Sequence, residues 1–344
     1  VPIAITGNTE GIYPIARNLP QGEHELIIRK ASTTNEGLDI YFHGIKTDGS
    51  LLDASVNKPL KIEYFGNSIS AGSGAGAANF PLADSHFDSS LSYTCLLSEL
   101  LDAEYHNTSY AGIALCNGAG WLTFGMESIY DRLYPTGTSQ AWNFSKFKPD
   151  ICVMALGVND NNRPGDIAWD TWRERYKQMV LKLRDEYGEN TIFIFSVGPM
   201  SGPSSNAVIH GKQVVNELKT AGIKAYSYVY SFGTSNGKHP IAPQQLQMAK
   251  ELYTYIKNEV LIGDNAEKNT LSYNNSCRKV LYNIRNTSNP VYSITVYDAW
   301  GDPKYAIQNP IGNGEINVSA LQKGSYSIRM EQQTGESSKN ILIY

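Results

Sequence analysis

From residue 60 to about residue 262 this chain repeats one pattern: a short apolar run, a polar or glycine-containing break, then apolar residues recurring every three or four positions. LKIEYF (60–65), AEYHNTSYA (103–111), DICVMAL (150–156), TIFIFSV (191–197) and IKAYSYVY (223–230) read as strands. Helical spacing covers Asp88 to Leu101, Trp172 to Tyr187, Ala207 to Thr220 and Pro243 to Val260. The second of these puts Trp172, Tyr176, Met179, Val180, Leu183 and Tyr187 on one face, a core stripe. Repeated strand–helix units predict an α/β fold, a parallel sheet covered on both faces, with functional residues at the carboxyl ends of its strands.

The flanks differ. Residues 1–57 read as β, with strand-like runs at ELIIRK (25–30) and LDIYFHGI (38–45), and no helical period. So short a segment makes a marginal sandwich alone, so it either leans on the next domain or continues a larger β domain. After Gly263 the helices stop. VLYNIRN, SITVYDAW, EINVSAL, SYSIRMEQ and NILIY alternate like the strands of a small antiparallel sandwich over 267–344. The domains expected are therefore 1–57, 58–264 and 267–344.

Net charge is −4 and no lysine/arginine block occurs, which argues against nucleic acid or an anionic membrane as partner. No apolar run approaches the ~20 residues that span a bilayer, so membrane insertion is not expected. The opening VPIAITGNTEG does not read as a signal peptide. The 22 tyrosines suit aromatic-lined sugar sites as well as sandwich edges. Cys95, Cys116, Cys152 and Cys277 show no paired spacing, so no zinc site and no disulfide framework is expected, with a single bridge left open.

Chemistry concentrates at the predicted strand ends. After LKIEYF the chain breaks into Gly66-Asn67-Ser68, where a strand must turn and where a nucleophilic serine is held at the sheet edge. Gly112, after the second strand, can offer a backbone N–H. GVND (157–160) follows the most apolar strand, and Asn159 can offer a side-chain N–H to a developing oxyanion. His239-Pro240 alone among the histidines lies between the last strand and the last helix of the α/β region. Asp160 reads as a structural hydrogen-bond partner. GSGAG (72–76) lacks the Gly-Lys-Ser/Thr of a phosphate loop and reads as a loop near the site. Trp121 either packs or stacks on a sugar ring.

GNSIS, the Gly112 turn, GVND and HP, in this order, resemble the four blocks of the SGNH (GDSL-like) hydrolase superfamily. Within it the chain is similar to carbohydrate esterase family 2, acetyl esterases of plant cell-wall sugars, also through AEYHNTSYAGIAL, WNFSKFKPD and VGPM. The resemblance covers about 20–262. It implies an SGNH-hydrolase (flavodoxin-like) parallel sheet preceded by a β jelly roll, and needs no cofactor or metal. It implies Ser68 as nucleophile and His239 as general base and acid. The Ser68 N–H, the Gly112 N–H and the Asn159 side chain would form the oxyanion hole. The C-terminal segment, with VYDAWGD and INVSALQKGSYSIRM, resembles sorting domains of the type IX secretion system. That implies a secretion-machinery partner and export from a Gram-negative bacterium, to its surface or the medium. The function expected is deacetylation of a polysaccharide such as xylan. A lipid or thioester acyl hydrolase and a non-catalytic carbohydrate-binding protein are the alternatives.

The superfamily's aspartate two or three residues before its histidine is replaced by Gly237 and Asn236, so the resemblance implies a Ser-His dyad, with Asn236 or a backbone carbonyl orienting the imidazole. If a carbonyl does so, Asn236→Ala leaves ester turnover close to wild type. Turnover as low as that of His239→Ala would assign the task to the Asn236 side chain.

Overall fold

The computed structural model describes residues 10–31, 41–52, 58–76, 86–160 apart from 136 and 138, 167–234, 238–261, and 269–343 apart from 276, 285–289 and 334. The chain divides into two units, Val1–Lys30 and Ala31–Tyr344.

In the second unit five strands form one sheet: β1 (Leu60–Gly66), β2 (Ala103–Ser109), β3 (Ile151–Ala155), β4 (Ile192–Val197) and β5 (Ala225–Val229). Their order is β2-β1-β3-β4-β5 and every pairing is parallel. This is the flavodoxin-like order, whose switch point lies where β1 meets β3. The helices are α1 (Tyr93–Leu100), α2 (Trp169–Tyr187), α3 (Asn206–Thr220) and α4 (Ala242–Tyr255), the last running into a π turn at Ile256–Val260. Strand alternation assigns the layers. Phe65, Cys152 and Met154 pack with α2 and α3, including Trp172 and Val214. Ile62, Tyr64 and Val153 pack with α1 and α4, including Leu97 and Leu252. All five residues of β3 are buried, as its unbroken apolar run demands. Ser92 and Ser205 cap α1 and α3 by accepting from Cys95 N and Val208 N.

The C-terminal strands are β6 (Thr270–Asn274), β7 (Lys279–Ile284), β8 (Val291–Asp298), β9 (Pro303–Gln308), β10 (Gly312–Asn317), β11 (Gly324–Gln332) and β12 (Gly335–Ile343). They form antiparallel sheets β10-β7-β6 and β12-β11-β8-β9 around one core that includes Val280, Ile294, Ile316, Ile328 and Ile341. Among the described residues no helix is long and apolar enough to cross a membrane. Cys95, Cys116 and Cys152 are buried and Cys277 is exposed, all as thiols.

The parallel sheet and the C-terminal sandwich are those the sequence predicts. The N-terminal jelly roll is not met among the described residues: 10–31 and 41–52 carry no strand, and 38–40 lie outside them. Ile27, Ile28, Tyr41 and Phe42 are 52–73% exposed. A strand needs a partner strand for its N–H and C=O groups and a second layer for its apolar face, and among the described residues no strand ladder includes these runs. The expected domain joints near 53–57 and 262–268 also lie outside the described residues.

A carboxyl is buried inside the sheet. Glu63 of β1 is 3% exposed. Thr108 Oγ1 donates to its Oε1 at 2.8 Å and the Tyr187 hydroxyl to its Oε2 at 3.2 Å. Burial pushes the carboxyl from 4.5 up to about 7 against these two donors. The folded state therefore binds this proton more tightly than the unfolded chain. The stability so gained is full below pH 4.5 and lost as pH rises through about 7. At about 1.4 kcal/mol per pKa unit the loss is roughly 3 kcal/mol. Urea unfolding of Glu63→Gln between pH 4.5 and 8 should therefore show a flatter stability profile than wild type, by about 2–3 kcal/mol over that range.

Candidate active site

Two parts of the chain 171 residues apart meet beyond the carboxyl end of β1. His239 Nε2 and Ser68 Oγ stand 2.7 Å apart in a hydrogen bond, both side chains partly buried. Ser68 lies on a single turn that the chain makes on leaving the strand. Ala71 N donates to Asn67 O at 3.0 Å and Ser73 N to Ser68 O at 2.9 Å. Asn67 secures this turn. Its Oδ1 accepts from Ile69 N at 3.1 Å and its Nδ2 donates to Ala155 O at 3.3 Å, fastening the Ser68 turn to the end of β3. His239 is presented just before α4, where Pro243 stands in the first turn and Gln244 Oε1 accepts from Ile241 N at 3.0 Å. The GSGAG loop packs close to the His239 stem: a Cβ at Gly74 would stand 3.0 Å from the Cβ of His239. Asn236 and Gly237, with whatever they offer the imidazole, lie outside the described residues.

The second and third blocks are joined to each other and to the Ser68 turn. Tyr110 N donates to Gly66 O and Ile113 N to Tyr110 O, both at 3.2 Å, leaving Gly112 inside a turn at φ +80°. Asn159 is 8% exposed, and its Nδ2 donates to Ile113 O at 2.8 Å. That bond uses one of the two amide protons and leaves the second for a ligand. Among the described residues neither the Ser68 N–H nor the Gly112 N–H donates to a protein acceptor. Asp160 acts as a clip. Its Oδ2 accepts from Leu115 N and its Oδ1 from Cys116 N, each at 3.0 Å. Burial pushes this carboxyl up to about 6, with the two backbone donors opposing the shift. Asp160 is thus bonded as a structural partner.

The loop after Gly112 is pinned at its base by groups that local patterning does not reveal. Met126 N donates to Ala114 O and Glu127 N to Leu115 O, at 2.8 and 3.0 Å. Glu127 Oε1 accepts from Asn117 N at 2.6 Å and pairs with Arg175 at 2.8 Å. This loop carries Trp121, which is 55% exposed and lies against Gly112, so its ring is not core. Trp172, fully buried, is. Among the described residues no group of three His, Cys, Asp or Glu side chains is placed to hold a metal ion.

Two characterised proteins resemble this chain in sequence. The cellulase/esterase CelE of Acetivibrio thermocellus is 28% identical over 275 residues, covering 75% of this chain and 33% of CelE. An acetylxylan esterase / glucomannan deacetylase of Cellvibrio japonicus is 24% identical over 236 residues, covering 67% of this chain and 66% of that protein. The chain thus spans a third of the length of the first relative and just under two thirds of the second. Among solved structures, a family two carbohydrate esterase from Clostridium thermocellum in complex with cellohexaose superposes with a TM-score of 0.56 at 24% identity, covering 63% of this chain and 69% of that one. A family two carbohydrate esterase from Cellvibrio japonicus superposes with a TM-score of 0.52 at 21% identity, covering 60% and 63%. Residues 277–344 match the family described as "Secretion system C-terminal sorting domain". The relatives are thus the carbohydrate esterases and the sorting domains that the sequence resembles.

At Gly120 the clipped loops approach each other closely. At φ +68°, a Cβ there would stand 2.7 Å from Asn159 O and 3.2 Å from Asn159 Cβ. Gly120→Ala must push the Asn159 backbone away. Steady-state kinetics on a chromogenic acetate should show kcat lower by on the order of tenfold to a hundredfold, with KM little changed.

Proposed function

We propose that this chain is a carbohydrate esterase that removes O-acetyl groups from a plant cell-wall polysaccharide such as xylan, through an acyl-serine. The observation that carries the proposal is the 2.7 Å hydrogen bond between His239 Nε2 and Ser68 Oγ at the carboxyl end of β1. A serine hydroxyl is a weak nucleophile at neutral pH, and an imidazole within about 2.6–3.2 Å can remove its proton as attack proceeds.

In the first half-reaction Ser68 Oγ attacks the acetyl carbonyl carbon while His239 Nε2 takes the hydroxyl proton. The carbonyl oxygen becomes an oxyanion, facing the Ser68 N–H, the Gly112 N–H and the second amide proton of Asn159. Collapse breaks the bond to the sugar oxygen, which receives the proton from His239 and leaves as the free hydroxyl. Water then attacks acetyl-Ser68 while His239 takes its proton. The acyl–Oγ bond breaks, Ser68 Oγ receives that proton from His239, and acetic acid departs and ionises to acetate. Each oxyanion donor is worth on the order of 3 kcal/mol in the transition state. Their spacing depends on groups already bonded to protein, Asp160 and Asn67 above all, so little reorganisation accompanies the charge.

Trp121 gives this site its sugar character. An indole more than half exposed beside Gly112, on a loop held at both ends, offers a flat apolar face to a pyranose ring. The sorting-domain match over 277–344 supports delivery to the cell surface or medium through the type IX machinery, where an insoluble polysaccharide is accessible.

The test is acetate release from acetylated xylan and from a small chromogenic acetate. Wild type should act on both, and Ser68→Ala should lose on the order of 10⁴-fold or more on each. Turnover unchanged in Ser68→Ala would overturn the assignment. Trp121→Ala should raise KM for the polysaccharide several-fold and leave the small ester nearly unaffected.

A further inference from the structure

The pair Ser68 and His239 comes from two separate elements, and one buried side chain bonds them together from inside. Gln245 lies six positions after His239 on α4 and is fully buried. Its Nε2 donates to Ile69 O at 3.2 Å, and Ile69 is the residue that follows the nucleophile. Its Oε1 accepts from Tyr93 N at 2.8 Å. Tyr93 N belongs to the first turn of α1, where backbone N–H groups have no partner within their own helix. One primary amide therefore joins the Ser68 turn, the start of α1 and the helix that presents His239.

A fully buried amide on the helix that also buries Met248 and Leu252 would be costly if unpaired, so its place is specified by having both ends bonded. Glutamine is also the residue that suits the position. A carboxylate could accept from Tyr93 N but could not donate to Ile69 O, and an apolar side chain could do neither. The two bonds fix the separation between α4 and the Ser68 turn. Proton transfer between Oγ and Nε2 needs about 2.6–3.2 Å, and a displacement of 1 Å costs on the order of a hundredfold in rate.

We propose that Gln245 is a positioning residue for the Ser68–His239 pair, setting their separation through Ile69 O and Tyr93 N. The assignment rests on the reading of Ser68 and His239 as the reacting pair. Gln245 itself touches no reacting atom.

The experiment compares Gln245→Met and Gln245→Glu with wild type on the chromogenic acetate, each alone and combined with His239→Ala. Gln245→Glu keeps the acceptor for Tyr93 N and, once ionised at the alkaline end of the assay range, sets a carboxylate oxygen in place of the donor to Ile69 O, so it serves as the second variant should the methionine protein fail to fold. Expected is a tenfold to hundredfold fall in kcat with KM within about twofold, in protein whose circular dichroism matches wild type. In the His239→Ala background the same change should lower the residual rate by less than about twofold, since there is no imidazole left to position. An undiminished kcat in both single variants would overturn the proposal. So would a loss of equal size with and without His239, which would make Gln245 a support of the fold in general. Activity surviving in Ser68→Ala is a different result, and removes the catalytic reading rather than the role of Gln245 alone.

Discussion

The hydrogen bond between Ser68 and His239 closes 171 residues of chain, and much of the α/β architecture can be understood as what holds its two ends at 2.7 Å. A parallel sheet does this well because each strand must return by a crossover, so successive strand ends accumulate on one edge. The order β2-β1-β3-β4-β5 adds a second condition: β1 is an interior strand, with β2 on one side and β3 on the other. Ser68, Gly112 and Asn159 follow these three adjacent strands, and so reach one place although their positions in sequence are far apart.

What turns proximity into a site is a set of buried polar bonds. Asn67 fastens β1 to β3, Asp160 holds the loop that begins at Gly112, and Gln245 bridges α4 to the Ser68 turn. None of these side chains is left half-bonded, as burial demands, because an unpaired amide or carboxylate in such a place costs more than its bond returns. The two most buried carboxylates, Glu63 and Asp160, are held by neutral donors, and among the described residues neither has a cationic partner. Both are accordingly pushed above the usual carboxylate range.

The regular elements of the α/β region are close to those that periodicity predicts, because each buries a contiguous or periodic apolar face. Two C-terminal strands escape that reading, β6 and β9. Both are edge strands, exposed over much of their length, and so carry little apolar alternation. The opposite error affects 25–30 and 41–45, where apolar residues at strand-like spacing carry no strand. Spacing records which residues favour an extended chain, and only a partner strand and a covering layer make that preference a sheet.

Sequence by itself determined the strand–helix alternation, the four blocks and the residue types at each strand end, since these depend on local turning and on one-dimensional periodicity. It named Ser68, Gly112, Asn159 and His239. Tertiary structure alone decided that Ser68 and His239 meet within a hydrogen bond, that Trp121 stands exposed beside Gly112, and that Gly120 presses on Asn159. It alone revealed Gln245, Asn117 and Glu127 as groups that brace the site. Their partners lie 8 to 176 residues away, and a side chain whose significance is a backbone atom at that remove leaves no local pattern to read.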